Sequence, residues 1–275
     1  MKNNLIIDVG MLNGEDTRFY LDKGFQVVAV EADPTLIQEN RDRFAADIDA
    51  NQLTIVPKAI ATYAGKITFY ANPTLRDWGT LSEELVKRNE SRGFSNVPIE
   101  VECIQFEEVL TAHGIPYYLK IDIEGFDMLC VQALAMFTER PKYVSIEIND
   151  SSYATASEPL HLLQELGYGQ FKLVDQSLHD NLRCPYPALE GNYVDARFST
   201  VTTGTFGEET AGSWRTGSEI ERQLRRFIIE QRIALPERDL YKKRILRWPY
   251  TLWRRIRGYR GLSWYDLHAK LGSAS

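Results

Sequence analysis

Leu5-Ile6-Ile7-Asp8-Val9-Gly10-Met11-Leu12-Asn13-Gly14 is an apolar run that breaks into an Asp-x-Gly-x-x-x-Gly turn. After a ten-residue interval, Phe25-Gln26-Val27-Val28-Ala29-Val30 makes a second β-rich run, closed by Glu31-Ala32-Asp33-Pro34. The pattern is a buried strand, a glycine turn, a helix, and a second buried strand with a carboxylate at its carboxyl end. A nucleoside-carrying cofactor needs these parts at the switch point of a doubly wound sheet. Gly10 and Gly14 are expected to let the backbone approach the ligand with no Cβ between them. Glu31, with Ala32 beside it, is placed to accept hydrogen bonds from ribose hydroxyls.

The turn separates two cofactor classes. A nicotinamide site wants Gly-x-Gly-x-x-Gly, because its second glycine admits a pyrophosphate at the helix N-terminus. Here Leu12 stands two residues after Gly10, and Glu15 and Asp16 open the helix, where they would repel phosphate. S-adenosylmethionine carries no phosphate, and its methionine end bears an ammonium and a sulfonium. Asp8 and Asp16 suit that cation, so the methyl donor is preferred to a dinucleotide oxidoreductase's cofactor. Acids at a helix start are also favoured by the macrodipole alone. That simpler reading covers Glu15 and Asp16 but not Asp8, inside an apolar strand, or Glu31 at the end of the next.

A second constellation lies at Tyr118-Leu119-Lys120-Ile121-Asp122-Ile123-Glu124-Gly125-Phe126-Asp127. Strand alternation puts Lys120, Asp122 and Glu124 on one side. Charges on a central strand are either paired or emerge at the carboxyl edge, where ligands bind. The next strand ends likewise, in Glu147-Ile148-Asn149-Asp150, so three strand ends deliver acids to one crevice. The structural alternative is ion pairing of Lys120 with Asp122 or Glu147.

Asp8-Val9-Gly10 with Gly14, Val30-Glu31-Ala32-Asp33-Pro34 and the Lys120-x-Asp122-x-Glu124-Gly125 stretch together resemble the FkbM family of S-adenosylmethionine-dependent methyltransferases. About 90 residues separate the donor motif from the second one, which also fits. The resemblance covers roughly residues 5 to 150. It implies the seven-stranded class I methyltransferase fold with one antiparallel strand near the sheet edge, and O-methylation of a sugar or natural-product hydroxyl. It also implies that Asp8, Gly10, Gly14 and Glu31 touch the donor, and that Asp122 and Glu124 face the reacting centre.

Methyl transfer requires the acceptor oxygen, methyl and sulfur in line, and a proton removed from the hydroxyl. Asp122 is the first candidate base and Glu124 the second. Lys120 completes the charged set, and Glu147 could serve as base or join Asp122 around a divalent ion. No metal is assigned, because the sulfonium and the acceptor already account for these carboxylates. Asp77-Trp78-Gly79-Thr80 and Phe206 to Trp214 read either as lids that stack a sugar ring or as loops anchored by their aromatics. A non-catalytic binding module on this fold would keep the donor pocket but would not need Lys120, Asp122 and Glu124 together.

Across residues 5 to 176, β and α runs alternate, as expected for a mostly parallel sheet with helices on both faces. Lys66 to Tyr70 is expected to fold back near the strand Leu53 to Val56. Thr80-Leu81-Ser82-Glu83 has capping-box form. Asp195 to Thr202 alternates like a last sheet strand, and Glu219 to Ile233 like an amphipathic helix with Ile220, Leu224, Phe227 and Ile228 on one face. The expected division is a methyltransferase domain over 1–203 and a helical, basic C-terminal extension over 204–275.

With 44% hydrophobic and 25% charged residues among 275, the composition is that of an ordinary globular protein. The N-terminus runs directly into the first strand with no signal-peptide pattern. Met128 to Phe137, the longest uncharged apolar run, is about half of a spanning helix's ~20 residues. Three scattered cysteines argue against a disulfide framework, so the expected compartment is the cytoplasm. The net charge of −6 hides an asymmetry. Lys242 to Arg260 holds eight basic residues and no acidic one, interleaved with Trp248, Tyr250, Trp253 and Tyr259, which leaves the remainder at −14. An acidic body repels nucleic acid. Basic residues among Trp and Tyr suit peripheral contact with an anionic membrane surface at the inner face. The expected partner is a small-molecule or glycan acceptor.

Overall fold

The computed structural model describes residues 3–148, 152–199, 202–234 and 264–272. Asn149, Asp150 and the basic stretch 242–260 lie outside the described residues.

The first strand, β1 (Leu5–Val9), is followed by α1 (Glu15–Asp22), β2 (Gln26–Val30), α2 (Pro34–Arg43), α3 (Ala45–Asp49) and β3 (Leu53–Val56). Local chemistry sets these boundaries. Gly14 precedes α1 in a left-handed conformation, and Asp33 caps α2 by accepting from the Thr35 and Leu36 amides ahead of Pro34 at the first turn. Then come β4 (Ala59–Ile60), β5 (Gly65–Ala71), α4 (Glu83–Ser91), β6 (Val97–Ile104), α5 (Phe106–His113), β7 (Tyr118–Ile121), α6 (Asp127–Ala133) and β8 (Tyr143–Glu147). The described chain closes with α7 (Tyr153–Glu165), β9 (Tyr168–Asp175), α8 (Gly217–Ala234) and β10 (Tyr265–Leu271).

Seven strands form one sheet in the order β3-β2-β1-β7-β8-β10-β9. Every described pair is parallel except those of β10, which runs antiparallel to both β8 and β9. Strand alternation divides the core into two layers. Ile7, Val9, Leu119, Ile121, Val144, Ile146, Leu267 and Ala269 face α5, α6, α7 and α8. On the opposite face Ile6, Val27, Ala29, Tyr118 and Tyr143 pack against α1, Phe44, Phe198 and Phe206. Ile220, Leu224, Phe227 and Ile228 are the buried stripe of α8, as their spacing requires.

Three expectations are corrected. The described residues of Asp195 to Thr202 form no strand. Phe198 instead sets its ring edge-on against Phe19 of α1, 5.0 Å between centroids, and the sheet's last strand comes from Tyr265–Leu271. Beyond residue 203 the chain contributes α8 to the cover and β10 to the sheet itself. Lys66 to Tyr70 does not pair with β3: β5 pairs antiparallel with β6 in a separate three-stranded sheet, β4-β6-β5. The N-cap of α4 is Ser82, not Thr80, whose hydroxyl is engaged elsewhere.

Candidate active site

The turn after β1 is built around Lys120. Its Nζ donates to the Gly10 carbonyl at 2.8 Å and lies 3.1 Å from Asp8, 3.8 Å from Asp16 and 3.9 Å from Asp122. Register explains the meeting, because Asp8 of β1 sits directly beside Lys120 of β7 on the α1 face. Burial alone would lower the lysine's pKa, but the three carboxylates outweigh it and hold the ammonium charged. Of the two expected pairs, Lys120 with Asp122 is present at 3.9 Å, and among the described residues none joins Lys120 to Glu147. Asp8 and the Gly10 carbonyl are nearer partners.

Asp8 was expected to touch the donor, yet it is 0% exposed. One oxygen accepts from the Thr17 hydroxyl at 2.6 Å and the other faces Lys120. A carboxylate engaged in this way fixes the turn from beneath. The glycines are also required by the neighbouring protein. At Gly10, φ +90°, a Cβ would fall 1.8 Å from the Asp122 carbonyl oxygen. At Gly14, φ +74°, it would strike the Phe44 ring at 2.6 Å. The close approach they permit is to neighbouring protein.

Glu31, 8% exposed, spans two turns: Oε2 accepts from Leu12 N at 2.9 Å, and Oε1 from the Ala32 and Asp33 amides at 2.8 and 2.9 Å. Burial raises its pKa while these three amides oppose the rise. Oε2 takes one protein donor and keeps acceptor capacity for a hydroxyl. Leu12, left-handed at φ +50°, is held from its other side by Asn40, which donates to its carbonyl at 2.6 Å. Asp16 is 7% exposed and accepts from the Thr203 amide at 3.0 Å through Oδ2. Its Oδ1 has no hydrogen-bond partner among the described residues. Burial pushes its pKa up to about 6 against the pull of Lys120. A buried carboxylate oxygen without a donor, beside a lysine already taken by Asp8 and Gly10, fits a cationic ligand group and not a phosphate.

Beyond Ile121 the chain leaves the strand, so alternation does not carry Glu124 to the Lys120 side. Glu124 is left-handed at φ +50°. Asp127 fixes the turn, its two oxygens accepting from the Ile123 and Gly125 amides, each at 2.9 Å. Asp122 remains at the strand end with its side chain 38% exposed. Burial, reinforced by Asp122, pushes the Glu124 carboxyl up to about 8, with Arg88, 3.7 Å away, opposing. Glu147 at the end of β8 is raised well above the usual carboxylate range by burial and by Glu124 and Asp122. Asp266 lies directly opposite Glu147 in the β8–β10 pairing, is 3% exposed, and is raised likewise. Sequence reading missed Asp266, although Tyr265, Leu267 and Ala269 alternate with Asp266, His268 and Lys270 in the period-two pattern of a strand. Among the described residues, no group of three or more His, Cys, Asp or Glu is arranged to hold a metal ion.

The aromatic loops are anchored. Phe206 is 0% exposed and stacks on Tyr118 at 4.8 Å, while Trp214 stacks on Tyr143 at the amino end of β8 and donates to Glu208 at 2.9 Å. The Phe206–Trp214 lid is thereby replaced by a clasp on the core. Trp78 packs edge-on against Phe94, and the Arg88 and Arg92 guanidinia lie 5.5 and 5.3 Å from its ring.

Sheet order, one antiparallel strand between β8 and β9, and an acid-rich turn without a phosphate cradle define the class: a class I S-adenosylmethionine-dependent methyltransferase. The chain belongs to the FkbM family, since the Methyltransferase FkbM domain matches residues 8–173, more than half of its length. No curated protein matches it. Among solved structures it is similar to the methyltransferase FkbM from Methylobacillus flagellatus KT, at 15% identity and a TM-score of 0.36 over 60% of this chain. The match spans 36% of that protein's length. It is also similar to a SAM-dependent methyltransferase from Archaeoglobus fulgidus, at 12% identity and a TM-score of 0.38 over 98% of this chain and 86% of that one.

Proposed function

We propose that the protein is an O-methyltransferase acting on a hydroxyl of a sugar, glycan or related natural product. The observation that carries this reading is the carboxylate group at the carboxyl edge, Asp122, Glu124 and Glu147, beside the donor turn. A hydroxyl is a weak acid, and a carboxyl raised to about 8 is a stronger proton acceptor than an ordinary one. When bound, S-adenosylmethionine supplies an electrophilic methyl on a sulfonium. Glu31 and Ala32 would hold its ribose, and Asp16 and Asp122 its cationic end. Asp8, Gly10, Gly14 and Lys120 keep the turn in shape, and Glu124 or Asp122 takes the acceptor's proton, with Glu147 beside them.

The test is incubation of purified protein with methyl-labelled S-adenosylmethionine and a panel of free sugars, glycolipid glycans and hydroxylated natural products. Label attached to oxygen, with S-adenosylhomocysteine formed in equal amount, is the expected result. Label on nitrogen or carbon would refute O-transfer. The reading extends to a cytoplasmic site of action at the inner membrane face. The basic and aromatic residues of 242–260 support contact with anionic lipid. Sedimentation with phosphatidylglycerol vesicles, lost when those eight basic residues are changed to Gln, is the check. Among the described residues no helix is long and apolar enough to cross a membrane.

A further inference from the structure

Glu124 needs an explanation that its own turn does not supply. A left-handed glutamate is strained relative to glycine, and Asp127 secures the amides on either side of it but not Glu124 itself. The missing contacts come from the excursion between β5 and β6, outside the seven-stranded sheet. Thr80, 1% exposed, exchanges backbone hydrogen bonds with Tyr70 of β5 at 2.9 and 3.2 Å. Its hydroxyl donates to the Glu124 carbonyl at 2.7 Å and accepts from the amide of Ser82, the N-cap of α4, at 2.9 Å. Leu85 of the same helix covers Gly125, so closely that a Cβ there would stand 3.1 Å from its Cδ1. About one turn beyond Leu85, Arg88 places Nη2 3.7 Å from Glu124 Oε2. Thr80, just ahead of α4, and Arg88, on it, thus hold the backbone and the carboxylate of a single residue.

We propose that Thr80 and Arg88 are positioning residues for Glu124: Thr80 holds its backbone in the left-handed turn, and Arg88 holds its carboxylate. The β5–β6 excursion then governs the proposed base without contributing an atom to the chemistry. The inference rests on the O-methyl-transfer reading for Glu124's role, but not for its geometry. Arg88 draws the Glu124 carboxyl down against acids that push it up: Asp122 at the end of β7, Asp127 of α6 and Asp77 ahead of α4, with Glu147 at the end of β8 coupled to it. Without Arg88, those acids raise the Glu124 carboxyl further.

The experiment is carboxyl-carbon NMR of full-length protein labelled at glutamate, saturated with S-adenosylhomocysteine, with the Glu124 signal assigned through Glu124→Gln. Arg88→Gln should move the Glu124 midpoint upward by about one pH unit, while Arg88→Lys should largely restore it. Thr80→Val, nearly isosteric, should accelerate hydrogen exchange of the Ile123 and Gly125 amides at least about tenfold, and Thr80→Ser should not. An unchanged midpoint in Arg88→Gln, or unchanged exchange in Thr80→Val, would overturn the proposal. Neither measurement needs an acceptor. If both behave as expected while no hydroxyl is methylated, the positioning stands and the O-transfer reading falls.

Discussion

Replacing Lys120 with methionine keeps the length and apolar body of the side chain and removes its charge. The ammonium has four oxygen partners within 3.9 Å and is 4% exposed, so solvent offers the remaining acids little relief. Asp8, fully buried, would keep its bond from Thr17 but lose its cation. Asp16 would keep only the Thr203 amide. Breaking a buried pair from one side costs about 3–5 kcal/mol, a large share of the ~5–15 kcal/mol that holds a domain folded. The double variant Lys120→Met, Asp8→Asn should recover roughly 1–3 kcal/mol, because it removes the stranded charge. The pH dependence follows from Asp16. A carboxyl whose folded pKa of about 6 exceeds its ordinary 3.8 takes up a proton on folding. The folded state therefore gains stability as pH falls through about 6, and the gain is complete below 3.8. Without Lys120 the Asp16 pKa rises further, so the penalty of the variant should be larger at pH 8 than at pH 5. Urea unfolding of both chains at the two pH values measures this. A penalty under about 1 kcal/mol, or one larger at pH 5, would show that Lys120 does not neutralise the turn.

Glu31→Ala should weaken S-adenosylhomocysteine binding by about 1–3 kcal/mol in calorimetric titration, since the ribose hydroxyls lose a charged acceptor. Unchanged affinity would remove Glu31 from the donor site. Methyl transfer by the wild type should rise with pH through an apparent pKa near 8, and Glu124→Gln should lower the rate and abolish that limb. A limb that survives in Glu124→Gln belongs to another group. Phe206→Ala should destabilise the fold by about 3–5 kcal/mol in the same unfolding assay. Because this loop clasps the core, turnover per folded molecule should stay within a factor of a few.

The donor half was legible because each of its signals is local. Two apolar runs, Gly10 and Gly14 at a turn, and Glu31 at the second strand's end suffice to place β1, α1 and β2. The acids at neighbouring strand ends were legible for the same reason, once a parallel sheet was assumed. Burial and partner choice were not. Nothing in the sequence says that Asp8 faces Lys120 across a strand pair, or that Gly10 is small because of Asp122. Glu124 escaped the alternation rule because the strand stops at Ile121 and Asp127 folds the next residues into a turn, a contact with no periodic signature. Asp266 was hidden by distance. Its strand follows the basic stretch by only a few residues, and its partners lie more than 90 positions earlier. Phe206 and Trp214 were ambiguous in principle, since an aromatic between glycines can face the core or the solvent with the same sequence.

The insertion of β10 between β8 and β9 makes the order of synthesis matter to assembly. Until Tyr265–Leu271 has been made, β8 and β9 have no strand between them, and each presents an unpaired edge. Those two edges sit about 10 Å apart, twice the usual strand spacing, and cannot bond to each other across the gap. A nascent or truncated chain therefore carries a slot shaped for one antiparallel strand, open to the equivalent segment of another molecule. Such a chain is primed for strand exchange between copies, and its own last strand is what closes that route.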